Sequence, residues 1–332
     1  MRPTGVYSPV SSEQILVLRD GVHGIPIEQY AEAIEERVPD ADVVLARSRQ
    51  EELRLAADAT IITDRAIDTE LVERAEELRL FSCISAGYGH LPLSELEDRG
   101  VAVTNASGVH GPNIAEQVIG YVLTFTRRLR EGWRRQQSAE WRHYQARELN
   151  GSTVTVVGLG AIGTAVVERL EGFDVDTIGV RYTPSKGGPT DRIVGFESEE
   201  FEPALGETDY LVLACPLTET TNGLIGDAEL TTLPADSILV NVGRGGLVET
   251  DALVDALRGH SIRGAALDVT DPEPLPASHP LWELENVLIT PHMAGHTPKY
   301  YERCADILAR NLERIRKRGD YTNLENQVLT PG

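Results

Sequence analysis

Cysteine is scarce. Cys83, Cys215 and Cys304 are the only three, far apart and without Cys-x-x-Cys spacing. That excludes a disulfide framework and a sequence-readable zinc site, and it suits a reducing cytoplasm. No apolar run reaches the ~18 residues of a membrane-spanning helix. Residues 1–12 hold one Arg, two Pro and no apolar block. The expectation there is a short disordered tail, not a signal peptide. Lysine is nearly absent: Lys186, Lys299 and Lys317 stand among 31 basic residues, against 52 acidic ones, for a formal net charge of −21. Such a surface repels nucleic acid and anionic membrane and argues against both as partners. It resembles the surfaces of proteins from salt-accumulating, halophilic microbes. At molar salt the Debye length is about 3 Å, so self-repulsion is screened.

What is present is a globular composition, 41% hydrophobic and 25% charged, over 332 residues. That length suits two domains of roughly 100–200 residues each. Short β-branched runs at residues 15–19, 43–46, 60–63, 80–84 and 101–104 alternate with helical spacing at 27–37 and 69–77. Strands alternating with helices predict an α/β fold with a parallel sheet covered on both faces. A second series of six strands, at 153–157, 176–180, 210–214, 237–241, 264–268 and 287–289, matches two mononucleotide-binding halves. One long helix is expected over about 112–138 and another over about 299–317. A Gly/Pro-rich surface loop is expected at 184–189.

The second series opens with an apolar strand followed by Gly158-Leu159-Gly160-Ala161-Ile162-Gly163 and a helix. Gly158 permits the tight turn. Gly160 lets backbone amides approach a pyrophosphate, and Gly163 allows close helix–strand packing. Alone the pattern is weak; the strand before it and the helix and strand after it give it weight. The next strand ends in Arg181-Tyr182-Thr183, with Ser185 and Lys186 behind. NAD enzymes commonly place an acid there, whereas a guanidinium can bind the 2′-phosphate of NADP bidentately. NADP(H) is therefore favoured over NAD(H), the alternative being an Arg181 that stacks on adenine.

Three further residues follow successive strands: Arg244, Glu273 and His292. A single loop Arg or Glu is usually just solvated. Three different charge types delivered to one edge of a parallel sheet, where ligands bind, suggest a site. His296 makes a His-x-x-x-His pair with His292, but Pro291 and Gly295 do not suit a metal-binding helix, so no metal is expected. His110 and His279 read as loop residues.

With these segments, Thr104–Gly108, Asn113–Glu116 and Pro216–Thr220, the chain resembles the D-isomer-specific 2-hydroxyacid dehydrogenase family. The resemblance implies two Rossmann-like domains with a cleft between them. A flavodoxin-like substrate domain would span 1–109 and 298–332, and a Rossmann NAD(P)-binding domain 110–297. It implies reduction of a small 2-oxo acid to a D-2-hydroxy acid by a cytoplasmic homodimer. In that reading His292 gives the proton. Glu273 orients the imidazole and favours its charged form, and Arg244 holds the substrate carboxylate. Substrate contacts fall on Ala86, Gly87 and Tyr88, in a loop that departs from the family by having Gly89 where an acid is usual. Cofactor contacts fall on Gly158, Leu159, Gly160, Ala161, Ile162, Gly163, Arg181, Tyr182, Thr183, Cys215, Pro216, Thr220, Val242, Gly243 and Asp268. Asp268 is expected also to support the site's hydrogen bonds.

Two alternatives stand beside this reading: a phosphoglycerate-dehydrogenase-like enzyme, and a nucleotide-sensing binding protein of the same fold. A formate dehydrogenase would pair its histidine with Gln, which Glu273 contradicts. The charge balance carries a test of its own. Dialysis to low salt is expected to abolish reductase activity, followed as cofactor absorbance; full, durable activity in dilute buffer would remove the halophilic reading.

Overall fold

The computed structural model describes residues 13–331, apart from the Ser198 side chain. The tail expected over residues 1–12 lies outside them. The described chain divides into two compact units. One runs to Val109 and resumes at Thr297; the other is His110–His296.

The first unit begins with β1 (Gln14–Val17), α1 (Glu28–Arg37), β2 (Asp42–Leu45), α2 (Arg49–Leu55), β3 (Ile61–Asp64), α3 (Thr69–Arg74), β4 (Leu80–Cys83), α4 (Leu93–Asp98) and β5 (Ala102–Thr104). The second unit carries α5 (Gly111–Thr126), α6 (Leu129–Gln137), β6 (Thr153–Val157), α7 (Ala161–Leu170), β7 (Asp176–Val180), β8 (Arg192–Val194), α8 (Ser198–Gly206) and β9 (Tyr210–Leu213). It continues with α9 (Asp227–Thr232), β10 (Ile238–Asn241), α10 (Thr250–Arg258), β11 (Gly264–Leu267) and β12 (Val287–Ile289). The chain then returns to the first unit with α11 (Tyr300–Arg318) and β13 (Gln327–Leu329).

Each unit is built on one sheet. The order is β13-β5-β4-β3-β1-β2 in the first and β12-β11-β10-β9-β6-β7-β8 in the second. All pairings are parallel except β13 on β5. The expected α/β architecture is present. Parallel strands need cover on both faces, and every residue of β3, β4, β5, β9, β10 and β11 is buried. In the first unit α11 covers the sheet with Tyr301, Cys304, Ala305, Leu308, Leu312 and Ile315 at helical spacing. They share a core with Tyr30 and Ile34 of α1. In the second, α5 packs on α7, with Gly111 close to the Ala161 carbonyl.

Several expectations need correction. The helix expected over 112–138 is two helices, because Arg128 adopts the left-handed conformation (φ 51°). The turn is held where the Arg128 carbonyl accepts the Glu131 and Gly132 N–H groups that start α6. The second sheet has seven strands, not six. The added β8 lies beside β7, where Asp191 accepts both the N–H (2.8 Å) and the hydroxyl (2.7 Å) of Thr177. The helices α2 and α4 and the antiparallel β13 were not expected either. Among the described residues no helix is long and apolar enough to cross a membrane.

Asp64, at the end of β3, is 2% exposed. Burial pushes its carboxyl up to about 7, even though the Arg65 and Asp20 N–H groups donate to it. Unfolded, the group titrates near 3.9. Between those values the folded chain holds a proton that the unfolded chain releases, so stability is lost as pH rises from about 4 through 7. Asp64→Asn removes that slope. In urea unfolding the Asn variant is expected to gain on wild type between pH 5 and pH 8; a pH-independent difference would contradict the assignment.

Candidate active site

The glycine loop after β6 is shaped by two close approaches. Gly158 has φ +97°, and a Cβ there would lie 2.7 Å from the Cys215 Cα. A Cβ on Gly163 would overlap the Gly158 carbonyl. At Gly160, the residue preceding α7, a Cβ would meet nothing within 4 Å. The loop is thus tight where it packs on protein and open at Gly160, beside the first N–H groups of α7, which lack intrahelical partners. An anionic pyrophosphate fits that cradle. Ala161 is exposed, Ile162 half-buried. Leu159 is turned inward: its side chain fills the space beside Gly179 and Gly188, so only its backbone is available to a ligand.

Arg181 follows β7 and donates to the Gly187 carbonyl, tying the strand end to the glycine-rich loop. Tyr182 is exposed and Thr183 half-buried. Cys215 follows β9, and burial pushes its thiol up to about 11, which leaves it protonated and unsuited to nucleophilic work. Pro216 and Thr220 are exposed. Their turn is pinned by Thr221, which sequence reasoning missed: its hydroxyl donates to the Pro216 carbonyl (2.7 Å) and accepts the Thr218 N–H (2.8 Å).

The Arg244 loop is bracketed by one buried side chain. Asn241 accepts the Gly243 N–H and donates to the Arg244 carbonyl, both at 3.0 Å. Val242 and Gly243 are buried, whereas Arg244 is exposed and rests one N–H on the Gly243 carbonyl (2.7 Å). Gly245 packs directly on the Thr270 carbonyl, so the Arg244 loop abuts the one carrying Glu273.

Glu273 and His292 meet. Glu273 Oε2 accepts from His292 Nδ1 at 2.8 Å, and its Oε1 accepts the Thr270 N–H at 3.2 Å. Both side chains are well exposed, 39% and 51%, so a ligand can reach them. With Nδ1 engaged, Nε2 is the nitrogen left to exchange a proton. His292 stands in the left-handed region (φ 49°), a conformation that costs a non-glycine residue about 1–2 kcal/mol. Asp268 holds it there. The Asp268 carbonyl accepts the His292 N–H (2.7 Å). Its carboxylate accepts the Thr290 hydroxyl (2.5 Å) and the Met293 and Ala294 N–H groups (3.0 and 2.9 Å). The carboxylate is buried and both its oxygens are taken by protein donors. Asp268 thus holds the backbone of the His292 loop. Helix α5 grips the same loop, Asn113 donating to the Ala294 carbonyl (2.6 Å) and His110 Nδ1 to that of Gly295 (2.9 Å). Among the described residues no group of three or more His, Cys, Asp or Glu could hold a metal ion.

Arg244, Glu273 and His292 thus follow β10, β11 and β12, neighbours in one parallel sheet, and leave from its carboxyl edge. Ala86, Gly87 and Tyr88 belong to the first unit. They form an exposed loop after β4, anchored by Asn105 donating to the Ala86 carbonyl (2.6 Å) and by His90 donating to that of Arg65 (2.8 Å).

Known proteins resemble this chain in sequence and in fold. Residues 119–294 match the model of the D-isomer specific 2-hydroxyacid dehydrogenase, NAD binding domain. The chain is 35% identical over 281 residues to a glyoxylate reductase of Thermofilum pendens, covering 81% of this chain and 82% of that one. A glyoxylate reductase of Thermococcus litoralis is 33% identical over 304 residues, 89% of each chain. The crystal structure of a D-isomer specific 2-hydroxyacid dehydrogenase from Xanthobacter autotrophicus Py2, in complex with NADPH and MES, superposes with a TM-score of 0.75. That protein is 25% identical, and the match covers 96% of this chain and 98% of that one.

Proposed function

The chain belongs to the D-isomer specific 2-hydroxyacid dehydrogenase family, and from that premise we propose that it reduces a small 2-oxo acid to the D-2-hydroxy acid, with NADPH preferred over NADH. The coarser assignment, an NAD(P)-dependent 2-hydroxyacid dehydrogenase acting as a 2-oxo acid reductase, follows from membership. Cytoplasmic residence, a homodimer and a salt-adapted source are proposals of the same reading. So is the division of labour: the unit containing Gly158–Gly163 takes the nucleotide, and Ala86, Gly87 and Tyr88 bind substrate. The names of the two relatives put glyoxylate first among substrates.

The observation that carries the mechanism is the 2.8 Å bond between His292 Nδ1 and Glu273. Bound NAD(P)H supplies the hydride to the carbonyl carbon. Arg244 pairs with the substrate carboxylate through its planar fork, which fixes the carbonyl's direction. His292 gives the Nε2 proton to the carbonyl oxygen as the alcohol forms. Glu273 keeps the Nδ1 proton in place and so fixes which nitrogen faces the substrate. The glycine cradle and the first turn of α7 hold the pyrophosphate. Arg181, already oriented by the Gly187 carbonyl, has further N–H groups for a 2′-phosphate.

Steady-state rates with NADPH and NADH in high salt, over glyoxylate, hydroxypyruvate, pyruvate, 2-oxobutyrate and branched 2-oxo acids, test this. Glyoxylate gives achiral glycolate, so the D configuration is read from a larger substrate. NADPH is expected to give the higher kcat/KM, and Arg181→Asp to weaken NADPH selectively. A preference for NADH of about tenfold, some 1.4 kcal/mol, would refute the cofactor choice. Cofactor binding by fluorescence with no turnover of any 2-oxo acid would favour the nucleotide-sensing alternative.

A further inference from the structure

Helix α5 carries a buried polar side chain that faces the catalytic loop and that neither the family resemblance nor the mechanism uses. Tyr121 is almost fully buried, yet its hydroxyl meets the Thr290 hydroxyl. Thr290 donates its single hydroxyl proton to Asp268 Oδ1 at 2.5 Å. It therefore accepts from Tyr121, and the chain has one direction: Tyr121 to Thr290 to Asp268. Burial pushes the Tyr121 hydroxyl up from its ordinary value, so it stays a donor. Asp268 Oδ1 also accepts the Met293 N–H, its Oδ2 accepts the Ala294 N–H, and its carbonyl accepts the His292 N–H. His110 and Asn113, at the start of the same helix, hold the carbonyls of Gly295 and Ala294. Spacings of three and eight residues bring 110, 113 and 121 to one helical face.

We propose that Tyr121 is a positioning residue for His292, acting through Thr290 and Asp268 to hold the left-handed turn that aims the imidazole. The proposal rests on the reductase reading and adds to it a buried hydrogen-bond chain from helix α5 to the proton donor. Thr290 already satisfies one lone pair of Asp268; Tyr121 decides where Thr290 points. Without the phenol, the Thr290 hydroxyl has another rotamer within reach, and Asp268 loses the donor that fixes its plane. The turn then relaxes from a conformation that is unfavourable for a histidine. The substrate carboxylate, held by Arg244, does not depend on this chain. Disturbing it therefore acts on the chemical step and not on binding.

The experiment compares wild type with Tyr121→Phe, Thr290→Val and Thr290→Ser, using the cofactor and 2-oxo acid that wild type turns over best. Tyr121→Phe and Thr290→Val are expected to lower kcat by about 3- to 100-fold, the scale of a small misplacement of a catalytic group. KM for the 2-oxo acid and the dissociation constant of the cofactor should stay within about twofold. Thr290→Ser keeps the hydroxyl and is expected to retain most of the wild-type kcat. Hydrogen exchange of the peptide containing Met293 and Ala294 should accelerate in Tyr121→Phe and Thr290→Val but not in Thr290→Ser. Unchanged kcat, or unchanged exchange, in Tyr121→Phe would overturn the proposal. Both variants are close to isosteric, and melting curves identify one that has not folded. In that event the other, with the Thr290→Ser rescue, decides. If wild type reduces no 2-oxo acid, the reductase reading fails by itself, and the exchange comparison still decides the role of Tyr121.

Discussion

The candidate active site depends on a buried carboxylate. Asp268 is 3% exposed and gathers three donors that start from different points of one loop: the Thr290 hydroxyl and the Met293 and Ala294 N–H groups. A neutral acceptor would hold them less firmly, since hydrogen bonds to an ionised group are roughly twice as strong. Leaving any one unpaired in the interior costs about 1–3 kcal/mol. The arrangement extends sideways. The Asp268 N–H donates to the Asn241 carbonyl, and the Asn241 side chain brackets the Arg244 loop. Two buried polar residues at the ends of β10 and β11 thus set the backbone beneath Arg244 and His292. The charged groups can then be exposed, as a reaction with a diffusing substrate requires, without being loose.

The same division explains what was legible in the sequence. Arg244, Glu273 and His292 could be read because each follows a short apolar strand, and a parallel sheet puts strand ends on one edge. Strands β6, β7 and β12 have the expected bounds: Gly158 ends the first, and Asp174 and Asn286 stand before the other two. The glycine loop was legible because its spacing states where side chains cannot fit. A supporting role for Asp268 was expected, but not its partners, because nothing in sequence shows that Met293 and Ala294 turn back upon it. Tyr121 and Thr290 lie 169 residues apart; no local pattern announces such a pair. The break at Arg128 was hidden because arginine is a good helix former and its left-handed conformation is set by what the turn must reach. Strands β8 and β13 have three residues each and open on Arg192 and Gln327, so no apolar run marks them. Helix α2 did carry a legible signal: Ser48 accepts the Glu51 N–H, and Glu51 the Arg47 N–H, a capping arrangement visible as Ser-x-x-Glu.

Electrostatics sets a further condition on function. The substrate and the nucleotide are anions, while the chain's formal charge is −21. Long-range attraction cannot bring them in; in the proposed reading the local cations Arg244 and Arg181 act at short range against an unfavourable field. Much of the remaining arginine is engaged elsewhere. Arg49 reaches Glu52, Asp68 and Glu70, and Arg310 forks onto Glu325 at 2.9 and 2.8 Å. Exposed pairs of this kind contribute only about 0–1 kcal/mol each. Screening by salt relieves the acidic surface and the approach of the ligands together, while the close contacts of the site persist.

The central claim is that His292, held by Asp268 and Glu273, is the proton donor. The most direct measurement is kcat for His292→Ala at saturating 2-oxo acid and cofactor, beside the dissociation constant of the cofactor. The expected result is a fall in kcat of about 10²–10⁴, the range of general-acid catalysis, with cofactor binding unchanged because the glycine cradle is untouched. Turnover near that of wild type would contradict it, and the proton would have to come from another group.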